Sequence, residues 1–326
     1  MPVAAVLDRG VATLLGIGGE QARSSRKGSV AVQSSMAIGP EHSLPFGSYE
    51  PSALQATLIG IGRRLPRNWV GRRIASLIRS VLKRYSGRPI DVIRLGSRMR
   101  LYPRSNSSEK RLMATPQFFE AIEMALLKKE LTAEFVFLDV GANAGAYTLF
   151  VANRVGRNGR IIAVEPHPTA LARLQCNLAL NGIDWAKVVP AALSDHNGTV
   201  SLYINERNIG SSSMLSGRRP DLVTRSIEVQ CRRLSSLVQE EGLTRIDALK
   251  LDVEGVEDRI LVPYLVEAPR TLLPRFMIIE DNRSVWKEDL LGHLERAGYL
   301  AQATPNGNLV LSLQHAQSAR ETLHGQ

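Results

Sequence analysis

Three stretches of the chain hold residue types that can grip a ligand at the ends of neighbouring strands. The first runs from Phe135 to Thr148, an apolar segment closing on Asp139 and Val140 that passes into a turn with Gly141, Asn143 and Gly145. Glycine permits backbone angles and close approaches that a side chain blocks, so a flat polar ligand can lie across such a strand end. Asp139, the last polar residue of the strand, can meet a cationic amino group or fix the loop. The second stretch ends in Val164-Glu165-Pro166, with Glu165 24 positions after Gly141. That interval is close to the ~20 residues at which nucleotide-binding folds set an acid against ribose hydroxyls. The third, Ala192-Leu193-Ser194-Asp195, sets a polar cluster at the height where an adenine ring would lie. Each feature alone has a plain structural use, since glycines pack and acids cap helices. Together they point to a nucleotide-like ligand. The spacing Gly-x-x-x-Gly differs from the dinucleotide fingerprint Gly-x-Gly-x-x-Gly, which argues against an NAD-dependent dehydrogenase. A non-catalytic nucleotide-binding protein stays open as an alternative.

A second group could do the chemistry. Alternation along a strand puts Lys250, Asp252 and Glu254 on one side and Leu251 and Val253 on the other. Asp252 is the first candidate for a general base or acceptor orienter, with Lys250 holding its charge state and Glu254 beside it. Glu257 would either contact an acceptor or complement a helix dipole. Glu280, followed by Asp281 and Asn282, ends a later strand and would complete an acceptor pocket. Oxygen ligands from Asp252, Glu254 and Glu280 suit magnesium or calcium, but nothing in the spacing requires an ion and no metal is assigned. His167 and His196, just after the second and third motifs, either touch the ligand or, as is commoner, are solvent-facing loop histidines. The Gly210–Ser213 loop reads as a lid or a polar connection.

The elements that must position these residues follow from periodicity. Short apolar runs predict strands over residues 135–140, 160–165, 188–192, 199–204, 226–231, 248–252 and 275–280. Helical spacing predicts helices over 116–130, 147–154, 168–181, 234–241 and 286–297. Such alternation implies an α/β fold, a Rossmann-like and mostly parallel sheet with helices on both faces. Residues 299–303 and 309–313 flank Pro305-Asn306-Gly307, the signature of an antiparallel C-terminal hairpin. The expected organisation is a flexible leader or linker (1–67), a basic amphipathic helix with an extended stretch (68–115), the main domain (116–313) and a loose tail (314–326).

Composition bounds the rest. The net charge of +10 is uneven, +12 over residues 1–104 and −2 over the remainder. Between Asn68 and Tyr85, apolar residues recur at helical spacing among Arg72, Arg73, Arg79, Lys83 and Arg84. This helix either docks on the main domain with its basic face in solvent, or meets an anionic membrane surface or acidic partner. No aromatic-and-basic recognition motif accompanies the charge, so no nucleic-acid partner is expected. No apolar run reaches the ~18 residues of a membrane span, and no secretory signal is read. Cys176 and Cys231 stand isolated, which suits a reducing, cytoplasmic setting.

The run from Phe137 to Tyr147, Val164-Glu165-Pro166, Ala192-Leu193-Ser194-Asp195 and the run from Leu249 to Glu257 resemble the FkbM methyltransferases in the right order, over roughly residues 118–280. The resemblance implies a class I methyltransferase fold and S-adenosyl-L-methionine as cofactor. It also implies methyl transfer to a hydroxyl oxygen of a sugar, glycan or polyketide-like small-molecule acceptor. By that likeness Asp139, Gly141, Asn143 and Gly145 would cradle the methionine part, Glu165 the ribose and Asp195 the adenine side. The chain departs from the family at Leu234-Ser235, where a Leu-Asp pair is common, so no catalytic acid is placed there. The basic helix lies outside the family's shared core.

Overall fold

The computed structural model describes residues 40–216, 223 and 225–314. The expected leader up to residue 39 and the tail after residue 314 lie outside the described residues. In chain order the helices and strands of the first part are α1 (Pro40–Ser43), α2 (Ala53–Arg64), α3 (Trp69–Tyr85), β1 (Ile90–Arg94), β2 (Ser97–Leu101), α4 (Ser107–Ala114) and α5 (Ala121–Glu130). There follow β3 (Val136–Val140), α6 (Ala146–Val155), β4 (Arg160–Val164), α7 (Pro168–Ala179), β5 (Lys187–Val189), β6 (Ala192–Leu193), β7 (Gly198–Ile204) and β8 (Arg225–Arg232). The last are α8 (Leu234–Glu240), β9 (Ala248–Leu251), α9 (Glu257–Glu267), β10 (Phe276–Glu280), α10 (Leu290–Arg296), β11 (Tyr299–Ala303) and β12 (Asn308–Leu313).

Seven strands form one sheet in the order β11-β12-β10-β9-β3-β4-β5. Strands β10, β9, β3, β4 and β5 pair in parallel, while β12 pairs antiparallel with both β10 and β11. This is the Rossmann-like sheet with an antiparallel closing hairpin that the pattern implied. The chain builds outward from β3 in one direction through β4 and β5, then returns to add β9 and β10 on the other side. The order therefore reverses between β3 and β9, the place where open α/β sheets open a crevice at their strand ends. There Asp139 is paired in register with Lys250.

Alternation within the strands divides the core into two layers. Val136, Leu138, Val140, Leu249 and Leu251 face α8, α9 and α10. Phe137, Ala163, Ala248 and Ile278 face the opposite layer, built by α5, α6, α7 and by residues of the N-terminal segment such as Ile78, Leu82 and Met99. The N-terminal segment is thus part of the main body, not an appendage. Buried ion pairs hold it: Arg100 to Asp91 at 2.8 Å, and Arg173 of α7 to Glu109 of α4 at 2.6 Å. Asn177 of α7 also accepts the N–H of Arg100 at 2.7 Å.

Several elements differ from the sequence expectation. Residues 53–64, assigned to the leader, form α2, with a capping box between Ser52 and Gln55 at its start. The extended stretch over 92–102 is the β1–β2 hairpin. The helix expected from residue 116 is a single turn at Pro116–Phe118, then a break at Glu120 with φ of 39°, then α5. The strand expected over 188–192 divides at Pro190, which has no N–H to donate, into β5 of the main sheet and β6 of another. Strands β7 and β8 belong to that other sheet, ordered β6-β8-β7, and not to the parallel core. Helix α9 was not anticipated, because Pro263 interrupts its helical signal.

Candidate functional site

The turn after β3 folds over the end of β4. The N–H groups of Gly141 and Ala142 donate to the carbonyl of Val164 at 2.9 and 3.1 Å. One residue on, the Glu165 carboxylate accepts the N–H of Asn143 at 2.8 Å through Oε2 and that of His167 at 2.8 Å through Oε1. The Gly141 turn and Glu165 therefore stand side by side at one rim of the sheet. Gly141 has φ of +77°, and a Cβ there would lie 1.9 Å from the carbonyl oxygen of Asp252. Only glycine allows the β3 and β9 loops to touch in this way.

A cavity of about 270 Å³ opens at this rim. Gly141, Asn143, Glu165 and His167 line it, and Asp252, Glu254 and Glu280 also form part of its wall. Its cover comes from two places. The loop Ile209–Ser213 borders it and is tied down by Ser213, whose hydroxyl donates to the Glu254 carbonyl at 2.8 Å. The N-terminal segment supplies Ser108, Arg111 and Glu120. Asn106, the cap of α4, donates to the side-chain oxygen of Asn143 at 2.7 Å, and the Ile209 N–H donates to the Ser105 carbonyl at 2.9 Å.

Two buried polar atoms at this end of the sheet, His167 Nε2 and Asp139 Oδ1, have no hydrogen-bond partner among the described residues. His167 caps α7, its Nδ1 accepting the Thr169 N–H at 3.1 Å. Burial, with the Arg173 and Arg225 cations, pulls its pKa down to about 4, so the ring is neutral and its proton sits on Nε2. Asp139 accepts the Thr148 hydroxyl at 2.5 Å through its other oxygen. A nucleoside with a cationic tail fits this donor set: an orphan N–H, an orphan carboxylate oxygen, and an acid at the height of a ribose.

Charge concentrates behind the rim in a smaller chamber of about 40 Å³ lined in part by Asp139, Glu120, Tyr147, Lys250 and Asp252. Lys250 is buried with its ammonium 2.9 Å from Asp252 Oδ2 and 5.1 Å from the Tyr147 ring centre. Burial acts to lower its pKa, but the carboxylates of Asp252, Glu120 and Asp139 outweigh that and raise it, so it stays an ammonium ion. The Tyr147 hydroxyl donates to Glu120 at 2.6 Å. Burial raises Glu165 to about 7 and also lifts Asp139 and Glu120. Asp252, Glu254 and Glu280 each offer a carboxylate oxygen within 4.8 Å of the others, matching either an acceptor's hydroxyls or one hard cation.

Three expected site residues stand elsewhere. Gly145 is off the cavity wall; with φ of +89° it starts α6, and a Cβ there would lie 2.7 Å from Leu174, so packing against α7 explains it. Asp195 is exposed and held by His196 at 2.7 Å, because the Ser194 N–H bonds the Arg232 carbonyl and draws this strand into the three-stranded sheet. Glu257 is fully buried at the start of α9, where its carboxylate accepts from the Val253 and Gly255 N–H groups, Asn282 and Trp286. It holds the loop after β9 and does not face an acceptor. His167, for which a solvent-facing place was the commoner expectation, is buried on the cavity wall. Glu120, Asn106 and Arg111 were missed, since they belong to segments with no recognisable motif, and Tyr147, inside the first motif, was given no role because its tie to Glu120 is a tertiary contact.

Comparison with known proteins assigns the chain to a family. Residues 139–301, half of the chain, match the family model described as the methyltransferase FkbM domain. Methyltransferase sdnD of Sordaria araneosa is 29% identical over 151 residues, covering 38% of this chain and 58% of that protein. The 31-O-demethyl-FK506 methyltransferase FkbM of Streptomyces tacrolimicus is 28% identical over 162 residues, covering 40% and 60%. The 2-O-methyltransferase NoeI of Sinorhizobium fredii is 29% identical over 139 residues, covering 39% and 56%. The chain thus spans little more than half the length of these relatives. Among solved structures, the methyltransferase FkbM from Methylobacillus flagellatus KT is similar at 14% identity and a TM-score of 0.38, covering 75% of this chain and 60% of that one. The motifs at the β3, β4 and β9 ends all lie within the matched region, and this chain belongs to the FkbM family of methyltransferases.

Proposed function

We propose that the cavity binds S-adenosyl-L-methionine and that the chain methylates a hydroxyl oxygen of a sugar, glycan or polyketide-like acceptor. One observation carries the reading. Glu165, pinned by the Asn143 and His167 N–H groups, stands beside the Gly141 turn on a cavity wall that His167, with its orphan Nε2, also lines. Glu165 would hold the ribose hydroxyls, His167 Nε2 would donate to the nucleoside, and Asp139 Oδ1 would accept from the amino group. When bound, the cofactor supplies a methyl group already activated by a sulfonium charge. What this chain adds is alignment, which can contribute about 7 to 11 kcal/mol, and a place for one proton.

Asp252 is suited to that proton. One of its oxygens is held by Lys250, leaving the other to accept from an acceptor hydroxyl and take its proton as the new O–C bond forms. Lys250 fixes the carboxylate's orientation. Glu254 and Glu280 would accept from further hydroxyls, which favours a polyhydroxylated acceptor over an apolar one. The names of the relatives support oxygen as the atom methylated, since two of them are O-methyltransferases. The test is transfer of labelled methyl to a panel of free sugars, lipid-linked glycans and polyketide alcohols. Label in an alkali-stable ether supports the reading; cofactor binding without transfer to any hydroxyl on the panel opposes it.

A further inference from the structure

We infer that the face formed by α2 and α3 docks on an anionic lipid bilayer. Helix α3 carries two apolar stripes, and the fold uses one. Ala75, Ile78 and Leu82 are buried against the body of the protein. Val70, Ile74, Leu77 and Val81, at i, i+4, i+7 and i+11, form the second and stay in solvent, with Leu77 68% and Val70 51% exposed. Trp69 at one end of the helix is 69% exposed and Tyr85 at the other 61%. Helix α2, packed against α3, adds Leu54 and Ile61. Of the fourteen large hydrophobic side chains exposed among the described residues, eight lie between Ala53 and Tyr85. A helix that only covered its own domain would need no second stripe.

The charge identifies the occupant. Residues 51–90 contain nine Lys and Arg and no Asp or Glu. None of these nine cations is in an ion pair among the described residues. Arg73 lies over the Trp69 ring at 5.4 Å, so a cation and an interfacial aromatic share one place. At the end of α3 a cleft of about 410 Å³ is lined by Lys83, Arg88, Arg104 and Arg207, with Glu206 its one acid. It suits a lipid phosphate. A second copy of the chain would bring the same cations against these. Nucleic acid would meet the cations but leave the apolar stripe wet. An anionic bilayer satisfies both, its headgroups facing the arginines while the stripe enters the acyl boundary.

The experiment is co-sedimentation of the full-length protein with phosphatidylcholine vesicles, with and without phosphatidylglycerol. It requires no cofactor, so its failure would leave the methyl-transfer reading untouched. The wild type partitions onto phosphatidylglycerol vesicles, weakly onto neutral ones, and less as salt rises. The double variant Val70→Glu/Leu77→Glu and the triple variant Arg67→Gln/Arg73→Gln/Arg84→Gln each lose about tenfold or more in partition, with unchanged melting temperature. Trp69 fluorescence shifts to the blue on anionic vesicles, and Trp69→Phe abolishes the shift. No partition of the wild type onto anionic vesicles overturns the inference, as do variants that bind as the wild type does. So does a dimer in light scattering that Val70→Glu/Leu77→Glu dissolves, which would assign the stripe to a second copy.

Discussion

Gly141 and Asp252 meet backbone to backbone: a Cβ on the glycine would stand 1.9 Å from the carbonyl oxygen of the aspartate. The contact joins the turn after β3 to the loop after β9 across the point where strand order reverses. Register carries it further down the sheet, where Asp139 pairs with Lys250. The turn after β3 and the loop after β9 are therefore joined, and displacing either displaces both.

Gly141→Ala tests that unit. The methyl group must push the Asp252 carbonyl away while the backbone holds φ of +77°, so overpacking and a left-handed alanine combine to about 2 to 4 kcal/mol. Urea unfolding should show that loss. Methyl transfer should fall below detection even where the variant is folded.

Asp252→Asn should leave cofactor affinity within about twofold while lowering turnover a hundred- to ten-thousandfold, roughly the worth of a positioned base. Lys250→Met should behave differently. It leaves Asp139, Glu120 and Asp252 without the cation that offsets them, and stability should fall by about 3 to 5 kcal/mol. Steady-state kinetics beside thermal unfolding separates the two outcomes.

Glu257→Gln addresses the reassigned acid. Its carboxylate accepts from two backbone N–H groups, Asn282 and Trp286, so stability should drop by about 2 to 3 kcal/mol. The acceptor KM should not change. A raised KM at unchanged stability would return Glu257 to the acceptor pocket.

Acid stability should expose two opposed groups on the cavity wall. His167, lowered from 6.5 to about 4, contributes stability that is complete above pH 6.5 and is lost as pH falls towards 4. Glu165, raised by burial from 4.5 to about 7, contributes stability that is complete below pH 4.5 and is lost as pH rises through 7. On acidification the gain at Glu165 offsets the loss at His167. Glu165→Gln removes the gain, so between pH 6.5 and 4 the variant should lose about 3 kcal/mol more than the wild type, measured as melting temperature against pH.

Chelation should leave turnover unchanged. Lys250 already places a positive charge 2.9 Å from Asp252 Oδ2, and a second cation among Asp252, Glu254 and Glu280 would meet its repulsion. Loss of activity on adding EDTA, restored by magnesium, would instead show those carboxylates holding an ion.

The sheet was legible because its strands are apolar runs and the turn after β3 is a glycine-bearing junction. Gly141, Glu165, Lys250 and Asp252 were placed by their position at strand ends, which alternation fixes. The N-terminal cover was not legible. Glu120 acts through a left-handed backbone at the break before α5, and its tie to Tyr147 links residues far apart in sequence. The burial of His167 was not legible, because a histidine after a strand gives no sign of how far the fold covers it. Asp195 was misplaced because pairing of β6 with β8 is decided by tertiary packing, which single-sequence periodicity does not report. The α3 pattern was visible as a basic amphipathic helix, but only the structure separates its buried stripe from its exposed one.

Calorimetric titration of S-adenosyl-L-methionine into the wild type and Glu165→Gln at pH 8 tests the central claim most directly. One site per chain is expected in the wild type, with the affinity lowered about tenfold or more in the variant, where a carboxylate gripping two hydroxyls becomes a neutral amide. A wild type that takes up no cofactor, or a variant that binds as tightly as its parent, would contradict the placement of the nucleoside at this rim.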